Sequence, residues 1–279
     1  MKRGLLRYGP LPWLLPLVGV LALASLAIGS TAMPVLEGLW QWLRGEHSLA
    51  AIVIGEIRLP RTLLALAAGA CLGLAGAALQ GLLRNPLADP SLTGASQGAA
   101  LGAAAVFYFG LFPALGGFAT ALGGLAGALA ALGLVLWLAG AGNPSRVILA
   151  GLAVSTVAGA SLAAVLTLAP NPYALQELVF WLMGSVADRG LEQLWVLPPA
   201  LLLGSALLWW QRGLLHALSL GEDVAASLGF AVGRGSRWLV LGCGLLVGGS
   251  VAVAGGIGFV GLMVPHLLRP LVAHRADRL

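Results

Sequence analysis

The sequence predicts an all-α protein that crosses a membrane several times as a polytopic transmembrane helix bundle. Hydrophobic residues make up 59% of its 279 residues, charged residues make up 9%, and the mean hydropathy is +0.96. Soluble domains carry about 25% charged residues, so a soluble fold could not hide this much apolar surface. The 41 glycines support the same interpretation, because small residues let helices approach closely in lipid.

Apolar runs of about 20 residues, the length that a helix needs to cross a bilayer, define about eight spans. We place all of these spans in one membrane domain over residues 1–279. They cover residues 12–33, 62–83, 92–111, 114–139, 147–169, 193–211, 238–255 and 257–272. A shorter apolar run over 174–184 is predicted to be re-entrant or to lie on the surface. The first run could imitate a signal peptide, but it is long and lacks a clear small-residue cleavage site, so we expect it to be retained.

The Lys and Arg residues predict the orientation of the chain, because cytoplasmic loops carry an excess of them. If the N-terminus is cytoplasmic, that side receives most of these residues, namely Lys2, Arg3, Arg7, Arg84, Arg146, Arg212, Arg234, Arg237, Arg269, Arg275 and Arg278. The opposite side receives Arg44, Arg58, Arg61 and Arg189. An even number of spans returns the C-terminus to the cytoplasm.

The composition argues against several classes of function. The net charge of +5 arises from basic residues beside apolar runs, which is typical of topology signals and not of nucleic-acid binding. Cys71 and Cys243 lie within apolar runs and are interpreted as small packing residues. The sequence has no metal-ligand spacing, nucleophile motif or phosphate-binding loop, and the glycines at 255–258 lack the acidic ribose partner of a dinucleotide fingerprint. We therefore expect no catalytic residue, metal, cofactor or nucleic-acid partner.

The segment from Leu218 to Gly229 is short, amphipathic and lies between two apolar runs. Leu220, Val224 and Leu228 fall at helical spacing, so one face is apolar. Acidic residues occupy the first turn, where a helix N-terminus favours negative charge, and Gly229 is a suitable C-cap. The segment is predicted to be a docking surface for a soluble partner. The alternative is a helix lying on lipid, but such helices are usually rich in Lys and Arg.

Two proline-containing segments are also distinctive. The loop from Arg84 to Gly98 has two X-Pro steps, which predict an extended backbone, and Asp89 or Ser91 can cap the helix that follows. In the last apolar run Pro265 would kink a helix and free a carbonyl. His266 next to it is interpreted as a polar group that reaches this carbonyl, or alternatively as part of a transport path.

Together these segments resemble a known family. The loop from Arg84 to Gly98, the start of the fifth span from Asn143 to Gly151, the segment from Leu220 to Gly229 and the run from Gly258 to His266 are similar, in this order, to the permease subunits of bacterial ABC importers for iron–siderophore complexes, haem and vitamin B12. The resemblance implies a multi-pass protein of the inner membrane that forms a homodimer. It also implies two ATP-binding subunits on the cytoplasmic side and a periplasmic substrate-binding protein as partners, so the permease itself hydrolyses nothing.

The resemblance further implies roles for individual residues. The residues that would contact the ATPase, within a coupling helix over 218–229, are Leu220, Gly221, Glu222, Asp223, Ala226, Leu228 and Gly229. Arg58 and Arg61 match an Arg-x-x-Arg motif that pairs with acids of the binding protein; their spacing of three predicts one shared helix face, and the alternative is that they snorkel at the interface. Asn85, Leu87 and Ser145 match positions that line a cytoplasmic gate.

The chain departs from the resemblance in two respects. Members of the family have about ten spans, whereas this sequence ends after the eighth at Leu279. We expect that a last helical hairpin is missing and that a stable, transport-competent dimer requires it. Pro144 stands where some relatives have a hydroxyl residue, which changes the expected shape of the gate.

Two other classes of function remain open at this point. A secondary transporter or channel without an ATPase would need ionisable residues within the spans, and few occur there. An intramembrane enzyme would need a catalytic pair at depth, and His266 has no obvious carboxylate partner in the sequence. The cargo is not determined by the sequence; iron–siderophore complexes are the first expectation, followed by haem and cobalamin.

Overall fold

The structure is a computed structural model that describes residues 11–140, 144–168, 172–187 and 189–272. Several residues named above lie outside these ranges: Lys2, Arg3, Arg7, Asn143, Arg275, Arg278 and Leu279. Within the ranges all regular secondary structure is helical, so the all-α prediction is confirmed.

The helices are numbered here in chain order. They are α1 (Leu11–Ala27), α2 (Val35–Leu43), α3 (Leu49–Leu83), α4 (Ala95–Phe109), α5 (Gly117–Ala139), α6 (Pro144–Thr167), α7 (Pro172–Leu182), α8 (Leu191–Leu194), α9 (Leu197–Trp210), α10 (Arg212–Leu218), α11 (Glu222–Ser227), α12 (Val232–Ala254) and α13 (Val260–Leu268). Short 3-10 turns cover Pro90–Thr93, Pro113–Leu115 and Arg269–Val272.

Every predicted span contains an apolar helix, but the helices differ in length. In the described part of the chain α3, α5, α6 and α12 are long and apolar enough to cross a membrane. The apolar helices within α1, α4, α9 and the segment from Val260 to Val272 are shorter, at 10–17 residues. The prediction of eight comparable spans is therefore too uniform, because four of the apolar runs include turns and loop segments that break the helix.

The second span is longer than predicted. It starts at Leu49 and not at residue 62, because the Ser48 hydroxyl accepts a hydrogen bond from the Ala51 N–H at 3.1 Å and caps the first turn. The helix then widens into a π-helical segment over Val53–Arg58 before it continues as an α-helix to Leu83. The first span is shorter than predicted, since α1 ends at Ala27.

Helix α12 lies at the centre of the bundle. Of its most apolar window 78% is buried inside the protein, and it packs against α3, α5 and α9. Small residues make these contacts close: a Cβ on Gly248 would lie 2.4 Å from the Ala128 Cβ, and one on Gly249 would lie 2.5 Å from the Ala200 Cβ. Cys243 belongs to this core, and its thiol lies 3.5 Å from the Ala75 carbonyl oxygen. Both cysteines are buried and free, in agreement with the packing role predicted for them.

Helices α4 and α13 both begin inside the bundle. The loop over 84–94 turns back along α3, so that Pro90 reaches α13: a Cβ on Gly261 would lie 2.5 Å from the Pro90 Cγ and 3.0 Å from the Leu72 carbonyl oxygen. Irregular backbone at membrane depth is tolerated only where protein covers it or where it lines a cavity. Pro90 and Thr93 are buried, which satisfies this condition.

Helix α13 is held against α3 by close backbone contact and by a polar chain. A Cβ on Gly76 would lie 1.8 Å from the Gly261 carbonyl oxygen. One turn further along α3, the buried Gln80 side chain donates a hydrogen bond to the Leu262 carbonyl at 3.1 Å and accepts one from Arg269 at 2.9 Å. A buried amide that is bonded on both sides fixes the register of the two helices, because any slip would leave it without partners.

Substitution of Gly76 tests this contact. Gly76→Ala should destabilise the protein by more than about 1–3 kcal/mol, the usual cost of overpacking, because the added methyl group meets backbone and not a movable side chain. Gly73→Ala is the matched control, since its Cβ would meet only a Val264 methyl group at 4.0 Å. Thermal unfolding of the two purified variants in detergent is the measurement. Equal melting temperatures would contradict the close approach of α3 and α13.

Candidate docking and gating sites

The predicted coupling segment divides into two helices. Leu218, predicted as its first residue, is fully buried at the end of α10, where Leu214 and Leu215 are buried as well. The separate helix α11 covers Glu222–Ser227. Gly221 before it has φ +123° and Gly229 after it has φ +88°; both angles favour glycine. The predicted helix over 218–229 is therefore corrected to a buried anchor followed by a short helix between two glycine turns.

The apolar residues of this segment face outward. Leu220 is 62% exposed, Leu228 is 60% exposed and Val224 is 41% exposed, whereas Ala225 is buried. Ala226 is exposed, and Glu222 and Asp223 lie in the first turn. The turn is closed by backbone hydrogen bonds from Gly229 N–H to the Ala226 carbonyl and from Phe230 N–H to the Ala225 carbonyl. The exposed apolar side chains therefore form a small protrusion with acidic residues beside it, and α10 packs against its inner side.

The residues assigned to the gate lie at the end of α3 and the start of α6. The Arg84 backbone is left-handed, with φ 49°, and directs the chain out of α3. The Asn85 carboxamide then accepts a hydrogen bond from the Leu87 N–H at 2.9 Å, which leaves the Leu87 side chain 69% exposed. Ser145 is exposed in the first turn of α6. No hydrogen bond of the described residues joins Asn85 or Leu87 to Ser145.

The loop over 84–94 nevertheless packs against α6 further along. A Cβ on Gly151 would lie 2.3 Å from the Leu92 carbonyl oxygen. The Asp89 carboxylate accepts a hydrogen bond from the Ser91 N–H at 2.7 Å and so caps the 3-10 turn. The loop is thereby held between α3, α6 and α13. The prediction that Asp89 or Ser91 caps the following long helix is wrong, because α4 begins after Gly94 without a side-chain cap.

Between this loop and the residues before α13 lies a partly polar cavity of ≈ 270 Å³. Its polar lining comes from Asp89, Ser91, Ser96 and Gln97, and its opposite wall from the glycine-rich turn at 256–258. The sequence analysis did not single out Ser96 or Gln97. Two apolar segments interrupted by Gly and Pro, which often mark a binding region between broken helices, were the signal that could have found them.

Arg58 and Arg61 occupy different environments. Arg58 is 7% exposed, and its guanidinium donates hydrogen bonds to the carbonyl oxygens of Leu26, Ala27 and Thr31. Arg61 is exposed and makes no hydrogen bond or ion pair with another described residue. Of the two arginines predicted to share one helix face, Arg58 therefore turns inward, because its guanidinium binds backbone carbonyls at the end of α1 and in the loop that follows.

His266 follows the buried Pro265 in α13 and is itself exposed. The described residues supply no hydrogen-bond partner for its imidazole, so the predicted contact with a freed carbonyl is absent from this part of the chain. These residues also contain no group of three or more His, Cys, Asp or Glu side chains arranged to hold a metal ion.

Comparison with known proteins decides the family. The model of the FecCD transport family matches residues 17–279. The chain belongs to the FecCD transport family. The family predicted from the motifs is confirmed.

Relatives and a solved structure agree with this assignment. An uncharacterized ABC transporter permease protein of Bacillus subtilis (strain 168), YvrB, is 40% identical over 224 residues, which are 78% of this chain and 63% of that protein. The hemin transport system permease protein HmuU of Yersinia pestis is 38% identical over 256 residues, 90% of this chain and 76% of that protein. A solved structure described as an inward-facing metal-chelate type ABC transporter is 32% identical to this chain and has a TM-score of 0.77. The match covers 95% of this chain and 83% of the chain in that structure.

The cap of the 3-10 turn is open to a direct test. Asp89→Ala should lower the free energy of unfolding by about 1 kcal/mol, the usual cost of losing a capping acceptor, whereas Asp89→Asn should be nearly neutral because its amide oxygen can accept the same hydrogen bond. Thermal unfolding of both variants beside the parent chain is the measurement. A loss for Asp89→Asn as large as that for Asp89→Ala would assign the effect to the negative charge and not to the cap.

Proposed function

We propose that the chain is the membrane permease subunit of an ATP-driven ABC importer. It carries a metal–chelate cargo, namely an iron–siderophore, haem or cobalamin complex, from the periplasm to the cytoplasm across the bacterial inner membrane. The observation that carries the proposal is the outward-facing apolar surface of Leu220, Val224 and Leu228 on a rigid, buried base, within a chain of the FecCD transport family.

The proposal assigns this surface to an ATP-binding subunit. α10 is anchored by buried leucines and contacts α3, so a force on α11 reaches a helix that spans the bundle. A lipid-facing role fits less well, because helices that lie on membranes are rich in Lys and Arg, whereas the segment from Leu218 to Gly229 has two acids and no base. Gly221, Glu222, Asp223, Ala226 and Gly229 complete the proposed contact.

This assignment separates ATP hydrolysis from the transport path. ATP hydrolysis belongs to two separate cytoplasmic subunits, and this chain supplies the path and the docking surface. The N-terminus and α11 lie on the cytoplasmic side in the proposed orientation, as the distribution of Lys and Arg favours.

The gate is proposed at the ends of α3 and α6. Asn85 and Leu87 lie in a turn that is hydrogen-bonded within itself, and Ser145 lies in the first turn of α6, against which the rest of this loop packs. Movement of α3 or α6 would therefore move the loop and the adjoining ≈ 270 Å³ cavity together. We propose a second copy of this chain as the other half of the path; lipid surrounds the dimer.

The binding protein is proposed to dock on the opposite face through Arg61. Its guanidinium is exposed and lines a partly polar cavity of ≈ 470 Å³ at the junction of α1 and α3. An unpaired surface cation mainly accelerates and orients the approach of an acidic partner.

The identity of the cargo is proposed only as a class. A relative named for hemin transport and a structure described as a metal-chelate transporter match the chain at 38% and 32% identity, so likeness at this level does not choose among chelates. An iron–siderophore complex is the first candidate. Retention of one chelate by the cognate binding protein would identify the cargo.

Charged substitutions on α11 test the coupling role. Leu220→Glu should weaken binding of the cognate ATPase by at least about tenfold, because the burial of one leucine contributes about 1.5–3 kcal/mol. The matched control is Leu43→Glu on α2, since both leucines are 62% exposed and Leu43 lies near the predicted periplasmic end. Affinity for the ATPase and ATP hydrolysis stimulated by loaded binding protein are measured in lipid nanodiscs. Equal losses for the two variants would contradict the proposal.

Reversal of both acids offers a second test of the same helix. Glu222→Arg combined with Asp223→Arg should uncouple ATP hydrolysis from substrate while insertion into the membrane stays intact, because the variant reverses the charge beside the apolar contact. The measurement is the stimulation of ATP hydrolysis by loaded binding protein in reconstituted vesicles. A normal response to loaded binding protein would overturn the docking role of the acids.

A further inference from the structure

Basic and aromatic side chains cluster where the end of α9, the start of α10 and the first turns of α12 meet. The guanidinium carbon of Arg212 lies 4.1 Å from the centroid of the Trp209 ring. The rings of Trp210 and Trp238 lie at a tilt with their centroids 5.9 Å apart, which joins α9 to α12. Arg234 precedes Trp238 by four positions, so both residues lie on one face of α12.

Helices α10 and α12 approach each other closely beside these arginines. A Cβ on Gly235 would lie 2.2 Å from the Leu214 Cδ2 and 3.1 Å from the Gln211 Oε1. Gln211 directly precedes Arg212 in the chain, and Gly235 directly follows Arg234. Cations that belong to two different helices can therefore converge on one ligand.

The arginines of this cluster have no acidic partner in the part of the chain that the structure describes. No hydrogen bond or ion pair there involves Arg212, Arg234 or Arg237. The Arg237 Nε is buried while the residue as a whole is partly exposed, so this guanidinium is held against the protein and its terminal nitrogens remain for a ligand. Cations that lack a counterion within the protein attract an anion from the surroundings.

The tryptophans of α9 belong to the surface that faces lipid. Leu202 and Leu203 are exposed, and the exposed Trp209 and Trp210 follow them by seven positions each, so all four residues lie on one side of the helix. Tryptophan is enriched at the boundary between the hydrocarbon core and the headgroups, because its ring is apolar and its N–H is polar. The adjoining arginines therefore lie at the depth of the lipid headgroups.

We propose that Arg212, Arg234 and Arg237 bind the phosphate of an anionic phospholipid, whose glycerol and acyl chains lie along the tryptophans of α9. Guanidinium groups bind phosphate oxygens through paired N–H donors, and basic pockets between transmembrane helices bind anionic headgroups. A soluble ATP-binding subunit fits this site less well, because the site continues the lipid-facing side of α9. Lipid binding requires only a membrane-spanning chain, so it holds or fails independently of the proposed function.

A headgroup bound at this site connects the two helices that flank α11. Arg212 is the first residue of α10, and Arg234 and Arg237 lie in the first two turns of α12. The chain between these helices carries the proposed docking surface for the ATPase. A lipid that bridges α10 and α12 therefore holds the base of that surface in place.

Retention of a defined lipid tests the site. The purified chain in detergent is titrated with phosphatidylglycerol, and bound lipid is counted by native mass spectrometry. Arg234→Gln combined with Arg237→Gln should weaken binding of the tightest-bound lipid about 25-fold, since each basic residue at an anionic surface contributes about fivefold. Arg44→Gln is the matched control, because the Arg44 guanidinium also lies over a tryptophan ring, that of Trp40 at 4.8 Å, but outside the cluster. Equal losses for the control and the double variant would overturn the proposal.

The parent chain supplies a test that does not depend on how the variants fold. It should bind phosphatidylglycerol at least about tenfold more tightly than phosphatidylcholine, because only the former carries a net negative charge. Equal affinities for the two lipids would overturn the proposal. Inorganic phosphate should not displace the bound lipid, since it lacks acyl chains; displacement would assign the cluster to a free anion and would overturn the lipid site.

A last measurement separates lipid from protein as the partner. Arg234→Lys combined with Arg237→Lys keeps both charges but loses the planar donors, so it should retain more affinity for phosphatidylglycerol than the glutamine pair does. Affinity of the cognate ATPase is then measured for the glutamine pair in nanodiscs of phosphatidylcholine, where it should equal that of the parent chain. Loss of ATPase binding with unchanged retention of phosphatidylglycerol would make the cluster a protein contact and overturn the proposal.

Discussion

The close contact between Gly76 of α3 and Gly261 of α13 is the constraint on which much of the bundle depends. It brings two backbones together without a side chain between them, and lipid offers no hydrophobic effect to hold helices that pack less closely. The buried Gln80 amide, bonded to Leu262 and Arg269, then fixes the register along the same pair. Because Pro90 also packs on Gly261, the loop over 84–94 can remain at depth and α4 can begin inside the bundle.

The need of backbone groups for hydrogen-bond partners within the membrane explains why the candidate path lies beside broken helices. Backbone groups that leave a helix within a membrane need partners from protein or a cavity. The turn at 255–259 meets this need in part through α7, since Ser185 N–H donates to the Ala254 carbonyl at 2.7 Å and Gly256 N–H donates to that of Leu182 at 3.3 Å. The short helix α7, expected only as a re-entrant or surface element, thus supports the wall of the ≈ 270 Å³ cavity.

The two proposed docking surfaces differ in the contacts that hold them in place. At α11 an exposed apolar face stands on a buried leucine anchor, between two glycines whose positive φ angles turn the chain sharply. At the junction of α1 and α3 a buried guanidinium holds the end of a helix, and an exposed one remains available. Both surfaces are joined to α3, which contacts α10 and carries Arg58 and Arg61, so that α3 connects the proposed ATPase contact with the proposed binding-protein contact.

The sequence by itself determined the all-α membrane bundle, the apolar runs and the family, because the amount of apolar surface and a few ordered motifs are properties of local sequence. It also placed the apolar stripe of Leu220, Val224 and Leu228. It did not reveal where helices break or begin, as with the start of α3 at Leu49, because capping and π-helical geometry compete with hydropathy over a few residues. Only the tertiary structure decided that Arg58 turns inward while Arg61 stays exposed: two identical side chains three positions apart differ because only one of them meets the unsatisfied carbonyls of α1, and no sequence pattern records that contact.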